Sequence, residues 1–200
     1  MELGLFFSML GFLWVAAITP GPNNMLLTTS GANFGFFRSI WLMVGIMLGM
    51  QSILLLVAFG VGGLITIYPA LHLFLKIAGS LYLLWLAWKI ATSAYEKLET
   101  GAPPPKPIRL YQGWLLQFLN PKAWLMGLGA VASFSLAGAA YNQSIAGISL
   151  GMFLVNLVSG IIWLGFGTVI GRLLRSKRAW YTFNIAMGIL TAACVLLIWH

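Results

Sequence analysis

Aspartate is absent from these 200 residues, and the only carboxylate side chains are Glu2, Glu96 and Glu99. A Ser-His-Asp arrangement and an Asp-rich Mg²⁺ or Ca²⁺ site therefore lack their carboxylates. Histidine is nearly as scarce, and His72 and His200 lie too far apart in the chain for a zinc motif. The single Cys194 sits in the apolar run from Thr191 to Trp199, so an intramolecular disulfide and a two-cysteine thiol relay are both excluded. Its expected role is packing. Charged residues of both signs make up only 7% of the chain, against about 25% in an ordinary soluble domain. These gaps argue against an enzyme, a divalent-metal carrier and a redox carrier, and no cofactor or metal is expected.

What the chain has in abundance is apolar surface: 60% hydrophobic residues and a mean hydropathy of +0.95. A bilayer-spanning helix needs about 20 apolar residues, so the length accommodates about six spans and no large extramembrane domain. Six segments read as helices, at roughly 4–34 (interrupted), 39–66, 70–90, 113–136, 144–171 and 180–199. The N-terminus has no positive n-region and no A-x-A cleavage pattern, so the first segment is kept as a span.

Eleven Lys and Arg against three acids give a net charge of +8. The positives fall in short juxtamembrane clusters without a polar domain around them, which excludes a nucleic-acid partner and assigns them to topology. Arg38 follows the first segment; Lys89, Lys97, Lys106 and Arg109 follow the third; Arg172, Arg175, Lys177 and Arg178 follow the fifth. With six spans these clusters share one side, and the positive-inside rule puts that side in the cytoplasm and both termini outside. Trp14, Trp41, Trp85, Trp88, Trp114, Trp180 and Trp199 read largely as interfacial anchors.

The segment Ala102-Pro103-Pro104-Pro105-Lys106-Pro107 cannot be helical and should be extended and solvated. It divides the chain into residues 1–95, a linker at 96–112 and residues 113–200. Each half holds three spans, an odd number, so the second half enters the membrane from the opposite side and any similarity between them is an inverted repeat. Gly45-x-x-x-Gly49 echoes Gly147-x-x-x-Gly151, Ile77-Ala78-Gly79 echoes Ala186-Met187-Gly188, and proline interrupts the first span of each half. The expected fold is an all-α membrane protein of six helices in two inverted three-helix repeats, helices 1 and 4 broken by proline.

Proline inside a helix removes a backbone hydrogen bond and frees polar groups that lipid cannot satisfy. Thr19-Pro20-Gly21-Pro22-Asn23-Asn24 places two prolines around a glycine and follows them with two amides, the pattern of a break that lines a site. The second half offers Gln117, Asn120 and Trp124 on one helical face around Pro121. Lys122 lies about 14 Å along the helix from Gly113 at the helical rise, near mid-membrane, where a charge is a functional signal. Thr19 to Asn24, Gln117, Asn120, Pro121 and Lys122 are the candidate substrate-binding residues. Gln51, His72, Lys76, Trp124 and Asn156 are candidates for coupling or support. Simpler roles stand beside these: snorkelling for Lys76 and Lys122, an interfacial position for His72, interhelical bonding for Gln51 and Asn156. The small-residue pairs Gly31/Gly35, Gly45/Gly49, Gly147/Gly151 and Gly167/Gly171 suit close helix packing.

Thr19-Pro20-Gly21-Pro22-Asn23, a third segment ending Leu84-Trp85-Leu86-Ala87-Trp88-Lys89, and Asn120-Pro121-Lys122 after a basic linker occur here in order. On these motifs the chain resembles the LysE/RhtB family of amino-acid exporters over essentially its whole length. Pro20 to Asn24, Leu86 to Ser93 and Leu116 to Asn120 look most like the branch that exports cysteine and O-acetylserine. The resemblance implies a six-span carrier of the bacterial inner membrane that moves small amino acids outward, driven by the proton-motive force. With no intramembrane acid to balance a cationic side chain, small neutral amino acids are favoured: cysteine or O-acetylserine first, threonine or homoserine second. Protons, lipid and a second copy of the chain are the other partners this reading admits. The alternative is a non-transporting membrane subunit, whose glycine stripes would be docking faces.

Overall fold

The computed structural model describes residues 3–60, 69–92, 108–174 and 176–196, the side chains of 69–72 and 75 excepted. All regular structure among them is helical: α1 (Leu3–Ile18), α2 (Pro22–Phe34), α3 (Phe36–Ala58), α4 (Pro69–Ala91), α5 (Leu110–Phe118), α6 (Pro121–Phe134), a 3-10 turn (Gly138–Ala140), α7 (Tyr141–Leu173) and α8 (Lys177–Ala193). The proline-rich part of the expected linker lies outside the described residues.

In lipid a helix satisfies its own backbone, so apolarity on every side does not prevent its formation. α1 buries Met9, Leu13 and Ala17, a stripe at four-residue spacing, and leaves Leu3, Phe7 and Val15 more than half exposed, as a lipid-facing helix does. α2 is the opposite case. It is rich in amides and hydroxyls, and Asn24, Thr28, Thr29 and Ser30 are all buried. A polar helix in an apolar solvent belongs inside the protein.

Among the described residues, α3 and α7 with its preceding turn are each long and apolar enough to cross a membrane, and α1 with α2 does so across a 55° bend. Of the six expected spans, the first, second and fifth thus meet length and apolarity within the described residues. The expected second span runs to residue 66; α3 ends at Ala58, Gly60 has φ +92°, and residues 61–66 lie outside the described residues.

Arg38 and Arg172 border one surface hollow together with Phe34, and Phe34 also borders the hollow that holds Lys89 and Arg109. Arg38, Lys89, Arg109 and Arg172, which follow the first, third and fifth expected spans, therefore meet at one end of the bundle, the basic end.

Each broken segment packs along the long helix of the other half, α2 on α7 and α5 on α3, while α4 packs on α8. Glycine permits the closest of these approaches. Gly45 lies against the backbone of Leu110 and Gly49 against that of Trp114, and a Cβ on Gly113 would come within 2.8 Å of the Leu42 carbonyl oxygen. On the other seam Gly31 lies against Leu164, Gly167 against Thr28 and Gly171 against Ala32. Gly35 departs from the expected packing role: it has φ +80° with open space around it and turns the chain between α2 and α3.

Candidate functional site

α1 stops at Ile18, and Pro22 starts α2 as its first residue, where a missing N–H costs nothing. Gly21 precedes it in extended backbone and provides no side-chain cap. Its need for glycine is spatial, since a Cβ there would meet Lys122 Nζ at 3.0 Å and Cδ at 3.1 Å. The carbonyls freed by the break find side-chain donors. Asn24 Nδ2 donates to Ala17 O and Thr19 O, both at 2.8 Å. Ser159 Oγ donates to Ala17 O at 2.9 Å and Trp163 Nε1 to Ile18 O at 3.3 Å. Lys122 Nζ donates to Thr19 O and Thr19 Oγ1, both at 2.9 Å.

The second break is built alike from different parts. α5 ends at Phe118, Asn120 caps α6 by accepting from Lys122 N at 3.2 Å, and Pro121 takes the first helical position. Trp124 Nε1 donates to Phe118 O at 3.0 Å. The two breaks are joined by amides: Asn23 Nδ2 donates to Gln117 Oε1 at 2.9 Å and Gln117 Nε2 returns the bond to Asn23 Oδ1 at 3.0 Å. Asn120 Nδ2 donates to the same Asn23 Oδ1 at 3.2 Å. Gln117 is fully buried and Asn120 is 2% exposed.

Thr19 to Asn24, Gln117, Asn120, Pro121 and Lys122 thus stand together. The cavity between them is small, about 30 Å³, with Asn24, Asn120, Lys122, Asn156 and Ser159 among its polar walls and Met43, Met47, Met50 and Met126 among its apolar ones. It has room for a water or two, not for an amino acid. Lys122 also borders a second hollow of about 230 Å³, with Thr19, Pro20, Leu83 and Cys194.

The supporting residues divide. Asn156 lines the cavity while its Nδ2 donates to Met152 O of its own helix. Trp124 serves the second break. Gln51 is elsewhere, tying α3 to α7: its Nε2 donates to Ser149 O at 3.1 Å and its Oε1 accepts from Ser149 Oγ at 2.7 Å. Lys76 stands on α4 and is not among the lining residues. The His72 side chain lies outside the described residues.

The carbonyls freed around Pro20 and Pro121 thus already accept from Asn24, Ser159, Trp163, Lys122 and Trp124 here. Sequence reasoning missed Ser159 and Trp163. Their signal was present, because Asn156, Ser159 and Trp163 recur at i, i+3 and i+7 on one face of α7.

Among the described residues, Lys122 is the one charged group on the central cavity, and the start of α2 beside it adds the positive end of a helix dipole. No described residue is a carboxylate, so none of them is a counter-ion to this positive potential. The site suits an anionic group held by directional donors.

No solved structure matches the chain. A cysteine/O-acetylserine efflux protein of Salmonella paratyphi A is 34% identical over 188 residues, 93% of each chain. Proteins of the same name from Escherichia coli O157:H7 and Escherichia coli K12 are 34% and 33% identical over 186 residues, again 93% of each chain. The family model for LysE type translocators matches residues 14–198, and the chain, a transporter rather than an enzyme, belongs to that family.

Proposed function

We propose that this protein exports small neutral amino acids, cysteine or O-acetylserine first, across the bacterial cytoplasmic membrane. Its relatives named as cysteine/O-acetylserine efflux proteins support the substrate class. The observation that carries the mechanism is the placement of Lys122 Nζ on Thr19 O and Oγ1 beside the uncapped start of α2. A substrate carboxylate at that helix start draws Lys122 off Thr19 and takes its charge. The released Thr19 oxygens then face the substrate ammonium. One exchange of partners thus creates both halves of a zwitterion site. A lysine or arginine substrate would bring a further cation with no carboxylate to meet it, an electrostatic cost that selects against it.

In this reading the chain crosses the membrane six times, the basic end in the cytoplasm and both termini outside, with residues 1–95 and 113–200 as inverted halves. The exchange of partners between halves, α2 with α7 and α5 with α3, supports that arrangement. The proton-motive force drives export, with the Lys122 amine or the substrate as proton carrier, since no intramembrane carboxylate is available. A non-transporting subunit gains nothing from two apposed helix breaks.

Counterflow in proteoliposomes tests the reading directly. Labelled cysteine and O-acetylserine should accumulate against unlabelled substrate, whereas labelled arginine and lysine should not. Selective arginine or lysine exchange would overturn the substrate class, and no exchange of any amino acid would overturn export.

A further inference from the structure

A larger and more open space than the central cavity lies at the basic end. It is a cleft of about 660 Å³ between α2, α4 and α5, bordered by Thr29, Asn33, Tyr82, Trp85, Lys89 and Arg109. Its chemistry is unlike a lipid-facing crevice. Thr29 is 5% exposed and its Oγ1 has no hydrogen-bond partner, and the buried Oδ1 of Asn33 has none either. Buried polar atoms are ordinarily satisfied, so two open ones on one cleft wall mark a place where a polar ligand or water completes them. The rim is cationic. Lys89 Nζ lies 5.4 Å from the Trp85 ring centroid, and Arg109 is the N-cap of α5. A cation at a helix N-terminus opposes the helix dipole and does nothing for α5 itself. Together they make the cleft mouth positive.

One face of α2 runs from the cleft to the central site. Asn23, Leu26, Ser30 and Asn33 recur at i, i+3, i+7 and i+10 along it, with Asn33 in the cleft and Asn23 in the amide cluster. On α5, Arg109 and Gln112 border the cleft, and Gln117, further along the same helix, is held by its paired bonds to Asn23. Leu26, 2% exposed, borders the cleft and stands between Asn23 and Asn33 on the α2 face.

We infer that the α2–α4–α5 cleft is a second recognition site, a vestibule that captures the carboxylate of a small zwitterionic substrate on Lys89 and Arg109, with Thr29 and Asn33 as its polar floor. The substrate then passes Leu26 and the Asn23–Gln117 pair to reach Lys122. This site rests on the export reading and adds to it: two carboxylate-binding stations in series, separated by an amide gate.

The test compares transport of labelled cysteine, under reductant, in vesicles that present the basic end or the opposite end to the added substrate. In the double variant Lys89→Gln, Arg109→Gln, the half-saturating concentration for loading from the basic end should rise about five- to tenfold. The saturated rate should stay within twofold and loading from the opposite end should not change. Thr29→Val, nearly the same shape without the hydroxyl, should raise the same constant severalfold and guards against misfolding of the double variant. Arg172→Gln, a cation of the same end outside the cleft, should leave it unchanged. An unaltered constant in a transporter that still works overturns the vestibule and leaves export intact. A loss of saturated rate with an unaltered constant overturns it too, as does an effect that vanishes in vesicles without acidic phospholipid, which would assign the cations to lipid headgroups. Wild-type vesicles that move no amino acid overturn export and the vestibule together.

Discussion

A single lysine separates the two ways of reading the central cavity. If Lys122 clamps a carboxylate, its charge-assisted bond is worth about 1.5–3 kcal/mol, which is roughly 10–100-fold in affinity. Lys122→Gln keeps much of the stem and a donor for Thr19 while removing the charge, so transport should fall at least about tenfold at unchanged membrane abundance. Arg172→Gln serves as the control for charge at large. Full activity in Lys122→Gln would reduce the residue to a strap on the Thr19 carbonyl. Asn24 poses a different question, since its Nδ2 donates to both Ala17 O and Thr19 O and so holds the first break together. Asn24→Ala leaves those carbonyls to Ser159 and Lys122 alone and should cost about 1–3 kcal/mol of stability, read as a lowered unfolding temperature in detergent. Asn23, Asn24, Asn120 and Lys122 were legible in the sequence because amides and a lysine beside prolines are rare in an apolar run. Ser159 was missed: its place on one face of α7 with Asn156 could be read from the spacing, but its partner, Ala17 O from 142 residues away, could not.

At the scale of the helices, the glycines divide into those that face backbone and those that face nothing. Gly45 lies against the Leu110 backbone, whereas Gly11 of α1 has nothing within 4 Å of an added Cβ. Gly45→Ala forces α3 and α5 apart and should destabilise the protein by about 1–3 kcal/mol or more, the cost of overpacking. Gly11→Ala meets no neighbour and should be neutral or stabilising by up to about 1 kcal/mol, because alanine is the better helix former. Thermal unfolding of the purified variants side by side gives the comparison, and equal losses would show that the α3–α5 seam is loose. The seams are unequal along their length. Gly49 meets the Trp114 backbone, but Gly151, its counterpart in the second half, meets only the side chains of Met9, Leu10 and Leu13. Sequence spacing identified the glycine pairs, yet it could not tell that Gly35 turns the chain while Gly31 packs.

For the molecule as a whole, a small central cavity stands beside a larger hollow that shares Pro22, Asn120 and Lys122 with it, while the cleft at the basic end is walled by α2, α4 and α5. Alternating access then requires the Asn23–Gln117 pair to part toward one side and the Lys122–Thr19 contact toward the other. Orientation in the membrane is a separate expectation, fixed by the basic end. A cysteine introduced near Pro104 in a Cys194→Ser background should react with an impermeant reagent only after the cells are opened, while one at either terminus should react in intact cells. Labelling near Pro104 from outside would reverse the topology and, with it, the direction in which the vestibule loads.

The sequence by itself determined that the chain is helical, that it belongs in a membrane, and where two of its helices break. Those properties are local: apolar runs make helices in lipid, proline removes a backbone donor wherever it stands, and lysine and arginine resist crossing the bilayer. The tertiary structure decided which groups meet. The bonds of Lys122 to Thr19, Gln117 to Asn23 and Trp163 to Ile18 join residues about a hundred or more positions apart. Nothing in the composition of either partner specifies the other, because a freed carbonyl accepts from any donor that packing brings within reach. The same holds for the cleft at the basic end. Lys89 and Arg109 read as topology signals in the chain, and only the apposition of α2, α4 and α5 sets them on one cleft with Thr29 and Asn33.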